Sequence, residues 1–344
     1  MPSSTPGPFH IVEHRVPCQH IREYPGETLD TQEDVLHLSV KQYIPWDNLN
    51  PQPGDVTIVG AHANAFPKEL YEPLWEEIIC HAKTSGFRIR AIWIADVAHR
   101  GQSAVLNESV LGNDPSWFDH SRDLVNLLNI KRADMPPPMD LRVLQNRVKY
   151  GLRDISSPHP LDDKFHGTKN PPVFLATSRY EDATSFARPY YDNSTVAENN
   201  LANRTVSHLD LDPTLVTSFP FYLPGPSQLF DQLPNVRPSV LYVFAGKSPM
   251  CLPALCKDKL SHTGTGIGGS SGFAAGRVRS TYMEGFGHMV AQEAQNKCAK
   301  RAARWIGPEI KRWQDENSLV TTAWPQKRSS KERGFYPIGM KSRF

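Results

Sequence analysis

The stretch that decides the fold is Arg277–Glu293, RVRSTYMEGFGHMVAQE. Its first half, to Met283, reads as a strand. Glu284-Gly285-Phe286-Gly287-His288 then reads as a turn. A long helix is expected from about 289 to 315, with Ala291, Ala294, Cys298, Ala302, Trp305 and Ile306 at helical spacing. Upstream, Pro238–Pro253 (PSVLYVFAGKSPMCLP) holds the cleanest strand of the second half, ending in Gly-Lys-Ser-Pro and followed by a loop. A Gly-rich loop over 263–276 joins the two units.

The front half alternates in the same way. Residues 9–24 read as an opening strand and 34–45 as a second, with Leu36, Leu38 and Val40 alternating and Pro45 closing it. Val56–Gly60 is a short β-branched run of the kind buried on both faces. Lys68–Thr84 reads as a helix, Phe87–Val97 as a strand, and Ser116 opens a helix to Ile130 with Leu124, Leu127 and Leu128 on its face. This β-β-α-β-α order predicts a mainly parallel sheet with crossover helices. A strand should come next. Instead Met135-Pro136-Pro137-Pro138 runs into a polar amphipathic helix over 141–151, and a strand signal returns only at 172–177.

Composition narrows the function classes. The 344 residues carry 38 Lys and Arg against 36 Asp and Glu, which argues against an obligate nucleic-acid binder. No apolar run is long enough to predict a membrane span. The first eight residues, MPSSTPGP, lack the pattern of a secretory signal. The five cysteines (Cys18, Cys80, Cys251, Cys256, Cys298) are scattered without a C-x-x-C pair. They fit a reduced compartment better than a zinc site or a disulfide framework, so no metal is expected. The glycosylation patterns at Asn193 and Asn203 are read as chance. Thirty prolines suggest long stiff loops.

Five stretches then carry a resemblance. Glu13–Tyr24 (EHRVPCQHIREY), Ala61–Trp75 (AHANAFPKELYEPLW), Ile92–Val97 (IWIADV), Arg237–Ser248 (RPSVLYVFAGKS) and Gly264–His288 are similar to fungal α/β-hydrolases of secondary-metabolite clusters. That family includes hydrolases of host-selective toxin biosynthesis and peroxisomal acyl-CoA hydrolases of mycophenolic acid synthesis. The resemblance implies an α/β-hydrolase fold with a cap, and hydrolysis of an ester or acyl-CoA thioester without a cofactor. It makes His288 the general base of a serine nucleophile. The loop at Ala63 and Asn64 would hold the oxyanion. Asp96–Ser103 resembles the family's Asp-x-x-x-x-Gly-x-Ser loop. The substrate implied is a small lipophilic acyl ester or acyl-CoA.

The resemblance also exposes a gap. Family members continue from Pro-Pro-Pro into a strand, then Gly-x-Gly-His-Ser-x-Gly-Gly, a helix, and a strand ending in Asp-Pro. Here Pro138 passes directly to Met139-Asp140-Leu141-Arg142, which resembles family sequence lying beyond that Asp-Pro. The fold is therefore expected to be truncated internally after Pro138, without nucleophile elbow or acid. Gly268-Gly269-Ser270-Ser271-Gly272 formally fits G-x-S-x-G, but it lies in a loop rather than between a strand and a helix, so Ser270 is the remaining nucleophile candidate by pattern alone. Ser248 stands where many hydrolases carry Asp. Ser103 and Ser178 lack supporting spacing.

Blander readings stand beside these. His288 could cap a turn, His62 orders its loop, Asp96 buttresses the loop after it, and the Pro67–Trp75 run is core and helix start. The expected organisation is 1–138 as the front of the core, 139–235 as a cap-like region, 236–318 as the back of the core and 319–344 as a basic tail. The final Ser342-Arg343-Phe344 resembles a peroxisomal tripeptide, with Phe in place of Leu, so an import receptor is a further expected partner. Three readings of the whole remain: a hydrolase, a non-catalytic binding remnant with open strand edges and poor solubility, or the product of a skipped exon at the Pro138–Met139 join.

Overall fold

The computed structural model describes residues 7–63, 66–112, 115–130, 134–138 and 225–323. The expected helix at 141–151, the strand at 172–177, most of the cap-like region and the terminal tripeptide lie outside the described residues.

The front half folds around β1 (Phe9–Pro17), β2 (His37–Pro45), β3 (Val56–Ala61) and β4 (Ile89–Ala95), in the order β1-β2-β4-β3. β1 and β4 both pair antiparallel with β2, and β3 runs parallel to β4. The two strands read from alternation are shorter than expected. Residues 18–24 leave the ladder because Pro17 ends β1, and the segment after it turns inward to bury Arg22. Residues 34–36 precede β2.

After β3, Lys68–Tyr71 forms a 3-10 turn, and α1 (Glu72–Ala82) begins where Pro73 can occupy the first turn without losing a hydrogen bond. Trp75, Ile78 and Ala82 face the sheet and pack with Tyr43, Ile92 and Ile94. α2 (Gly101–Asn107) occupies what the sequence suggested was a loop. α3 (Trp117–Asn129) starts at Ser116, whose hydroxyl accepts the Phe118 N–H at 3.2 Å.

The face assigned to α3 needs correction. Leu128 is 61% exposed, and the buried stripe is Asp119, Asp123 and Leu127. Two of those three are carboxylates because they face a buried guanidinium. Arg22 sits 2.6 Å from Glu27 and 2.8 Å from Asp123, with Asp119 at 4.0 Å, and all four side chains are almost fully buried. Asp119 also accepts the Glu23 N–H and Asp123 the Gln19 N–H. This network ties the segment after β1 to α3. Burial, followed by the hydrogen bond with Asp119, raises the Glu27 carboxyl well above its usual range.

The back half contains α4 (Gly225–Gln232), β5 (Val240–Ala245), α5 (Pro253–His262), β6 (Val278–Met283), α6 (Val290–Glu293) and α7 (Gln295–Ala323). Where a loop was expected after Ser248 there is α5, started by Pro253 in its first turn. The expected helix over 289–315 is two helices, broken at Ala294, and the second runs through Pro308 to Ala323. β5 and β6 pair in parallel from Val240↔Val278 to Ala245↔Met283, as a separate two-stranded sheet.

Among the described residues β3 pairs with no strand but β4, and β5 with no strand but β6. The halves meet through helices instead. α7 lies along α1, burying Ala299 and Ala303 completely against the Trp75 cluster, with Ile306 and Ile310 beside them. Close approach explains Gly307: a Cβ there would come within 2.0 Å of the Ser85 carbonyl oxygen. A smaller cluster of Met283, Ala294 and Cys298 touches Leu74 of α1.

Candidate active site

His288 follows the turn after β6 and is exposed at the carboxyl end of the small sheet. The turn is fixed by its backbone. Phe286 N–H donates to Met283, Lys247 N–H donates to the Phe286 carbonyl at 2.9 Å, and Glu293 accepts the Gly287 N–H at 2.9 Å. The ends of β5 and β6 are thereby clamped together. Ser248, carried by the β5 turn, places its Oγ 2.8 Å from His288 Nδ1 and accepts the Met250 N–H at 3.1 Å. In a Ser-His-acid arrangement this is the contact made by the acid. A hydroxyl there orients the ring but supplies no negative charge for an imidazolium.

The loop after β3 is held by its own neighbours. Val97 N–H donates to His62 Nε2 at 3.0 Å, which makes Nε2 an acceptor and leaves the ring proton on Nδ1. Nδ1 lies 2.8 Å from the Ala63 carbonyl and donates to it. One imidazole thus pins the loops after β3 and β4 together, the ordering role expected of it. Burial lowers the His62 pKa, which keeps this tautomer neutral. His120 of α3 lies beside it, ring centroids 5.8 Å apart, and is pushed down to about 4 by burial and then by His62. Ala63 N–H donates to the Tyr71 hydroxyl at 2.8 Å, so this amide is engaged within the loop rather than presented to a ligand. Asn64, the other oxyanion candidate, lies outside the described residues.

Asp96 does buttress the loop that follows β4. Its carboxylate accepts the Gln102 N–H and the Lys68 N–H, each at 3.0 Å. The Lys68 ammonium lies 2.6 Å away, fully buried, with Gln102 Oε1 at 2.9 Å and Glu69 at 3.2 Å. Gly101 has φ +52°, and a Cβ there would strike the Asp96 carboxylate at 2.6 Å, so the loop requires glycine at this place. Reading the sequence missed the buried Lys68. Charge at a helix start normally signals solvent, and nothing local marks this lysine as the partner of a carboxylate 28 residues away.

The serines considered as nucleophiles do not gather at His288. Ser103 is fully buried, donating to the Asp96 carbonyl at 2.9 Å and accepting the Ser39 N–H at 2.8 Å. Ser270 N–H donates to the Val236 carbonyl, ahead of β5, while His288 follows β6. The six residues of each parallel strand separate the two positions, roughly 17 Å at ~3.3 Å per residue. Ser270 is therefore corrected as a partner of His288. It sits in a tight Gly-rich turn whose next residue, Ser271, has φ +69°. Ser178 lies outside the described residues.

Comparison with known proteins agrees with this architecture, although no family model matches. A yeast structure, the peroxisomal α/β-hydrolase Lpx1 of Saccharomyces cerevisiae, superposes with a TM-score of 0.51 at 13% identity, covering 96% of this chain and 94% of that one. The fold is that of an α/β-hydrolase. The type I acyl-CoA thioesterase mpaH' of Penicillium brevicompactum is 31% identical over 409 aligned positions, covering 94% of this chain and 92% of the relative. The corresponding mpaH of Penicillium roqueforti is 29% identical, with 96% and 95% covered. The chain belongs to this fungal family of type I acyl-CoA thioesterases. Because 94% of 344 residues is about 323, some 86 of the 409 positions are relative residues opposite a gap in this chain. That deficit exceeds the ~30 residues of a βαβ unit.

Proposed function

We propose that this chain is the product of a fungal secondary-metabolism hydrolase lineage acting on acyl esters or acyl-CoA thioesters, and that in its 344-residue form it retains the base side of the site without the nucleophile side. The observation that carries this reading is the Ser248–His288 contact at the carboxyl end of β6, on a two-stranded sheet that pairs with no strand of the front half among the described residues. In the family reaction a serine attacks the acyl carbonyl, the histidine takes its proton, and backbone amides hold the oxyanion. His288 fills the histidine's place here. A serine in a strained strand–helix turn is absent among the described residues, and Ala63 N–H is occupied by Tyr71. What remains without nucleophile and acid is substrate binding and weak residual rate.

The thioesterase names of the Penicillium relatives favour an acyl-CoA substrate over a simple ester, and they lend no weight to a host-selective toxin pathway. Peroxisomal residence is supported by the terminal Ser342-Arg343-Phe344 and by the yeast structural neighbour. Attachment of the last residues of this chain to a fluorescent reporter would test it by peroxisomal or diffuse signal.

The decisive assay is fluorophosphonate labelling of the purified chain, read by intact mass and peptide mapping, because such probes trap an activated serine. No adduct on folded protein is expected. A stoichiometric adduct lost in His288→Ala would overturn the reading, and mapping to Ser248 would make the Ser248–His288 pair itself a nucleophilic dyad. The gap of some 86 positions also favours a second reading, a skipped exon at Pro138–Met139. Transcripts with an in-frame exon at that join would establish it.

A further inference from the structure

We infer that Cys251 and Cys256 form a reversible dithiol–disulfide pair at the start of α5, a modification site independent of the hydrolase reading. Leu252 is the residue that caps α5, so Cys251 precedes the cap and Cys256 is the fourth helical residue. Side chains at these two positions meet across the first helical turn, which is where hydrophobic staples form. Here both are thiols, and their Sγ atoms are 3.6 Å apart. Rotation about the side-chain bonds toward ~2.05 Å closes a disulfide. Cys251 is half-buried and Cys256 is buried at 1% exposure, which assigns the roles.

The Cys251 thiolate attacks glutathione disulfide and releases one glutathione. The Cys256 thiolate then attacks the Cys251 sulfur of the mixed disulfide and releases the second. The two cysteines lose two electrons to the glutathione disulfide, and their two protons end on the two glutathione thiols. The Cys251 thiol is pushed up by burial and by the hydrogen bond with Cys256, and pulled down by Lys259, so exchange quickens as pH rises. The pair sits on the turn that holds His288, because Cys251 N–H donates to the Ser248 carbonyl at 3.0 Å.

Trypsin cutting after Lys247 and Lys257 releases Ser248–Lys257 as one peptide containing both cysteines. The full chain is equilibrated with a mixture of reduced and oxidised glutathione, acid-quenched, alkylated and mapped. The expected result is that peptide lacking two hydrogens and bearing no alkyl group, with an equilibrium constant for closure at least tenfold larger in the folded chain than in guanidinium chloride. Cys256→Ser is expected to leave Cys251 as a glutathione adduct. Recovery of two alkylated thiols, a stable Cys251–glutathione adduct in the unaltered chain, or equal constants in folded and unfolded chain would overturn the inference.

Discussion

The two halves of this protein keep their charged groups in opposite places. In the front half, Arg22 is buried with Glu27, Asp119 and Asp123, tying the segment after β1 to α3, and Lys68 is buried with Asp96, bracing the loops after β3 and β4. In the back half, the notable polar residues sit in turns past the strand ends, His288 exposed and Ser248 half-buried. Arg277 pairs with Glu316 near the surface. The front half is thus a scaffold of cross-braced loops. The described back half is held to it by helix packing.

The contrast can be broken most forcefully at Arg22. Arg22→Met leaves three buried carboxylates facing one another, and breaking such a pair costs ~3–5 kcal/mol. Guanidinium chloride titration should show the front half losing most of its stability. Next in size is Ala303→Leu, which overfills the α1–α7 contact at ~1–3 kcal/mol. Hydrogen exchange should then rise across β5, β6 and α7 while β1, β2 and β4 stay protected. Uniform loosening of both halves would refute the idea that α7 is the splint.

Acid should also separate the halves. The folded pKa of His120 is about 4, below the ordinary value, so between roughly 6.5 and 4 the unfolded chain binds more protons than the native one. Stability from this residue is complete above the ordinary pKa and is lost as pH falls through that window, up to ~3 kcal/mol. His62 and His99 shift in the same direction through burial. Thermal melts at pH 7 and pH 4.5 should show this loss, and His120→Gln should reduce it. The smallest effect is expected at the surface: Arg277→Met, removing an ion pair with Glu316, should change stability by less than ~1 kcal/mol. A loss there comparable to that of Arg22→Met would erase the contrast.

What could be read from the sequence follows the same division. β2, β3 and β4 declared themselves through alternation or β-branched runs, and His288 through a strand, a glycine turn and a helix. The abrupt passage from Pro138 to Met139 was legible against the family pattern, and among the described residues β1–β4 and β5–β6 form two separate sheets. The buried ions were not legible. Arg22 meets Asp123 across 101 residues, and no local pattern encodes a pairing at that separation. Asp119 and Asp123 displaced Leu128 from the buried face of α3 for the same reason: hydropathy counts a carboxylate as a surface group until its partner is known. α5 was hidden because its apolar residues form no regular stripe.

The long reach of α7 has a consequence for how the chain is made. Asn296 donates to Glu77 across 219 residues, and the Trp75 cluster is completed only by Ala299 and Ala303. At ~5–20 residues per second, the ribosome needs roughly ten to thirty seconds after the end of α3 to deliver that helix. Throughout this interval the front sheet carries α1 with its outer apolar flank bare, a nascent surface on which chaperones can act before α7 arrives.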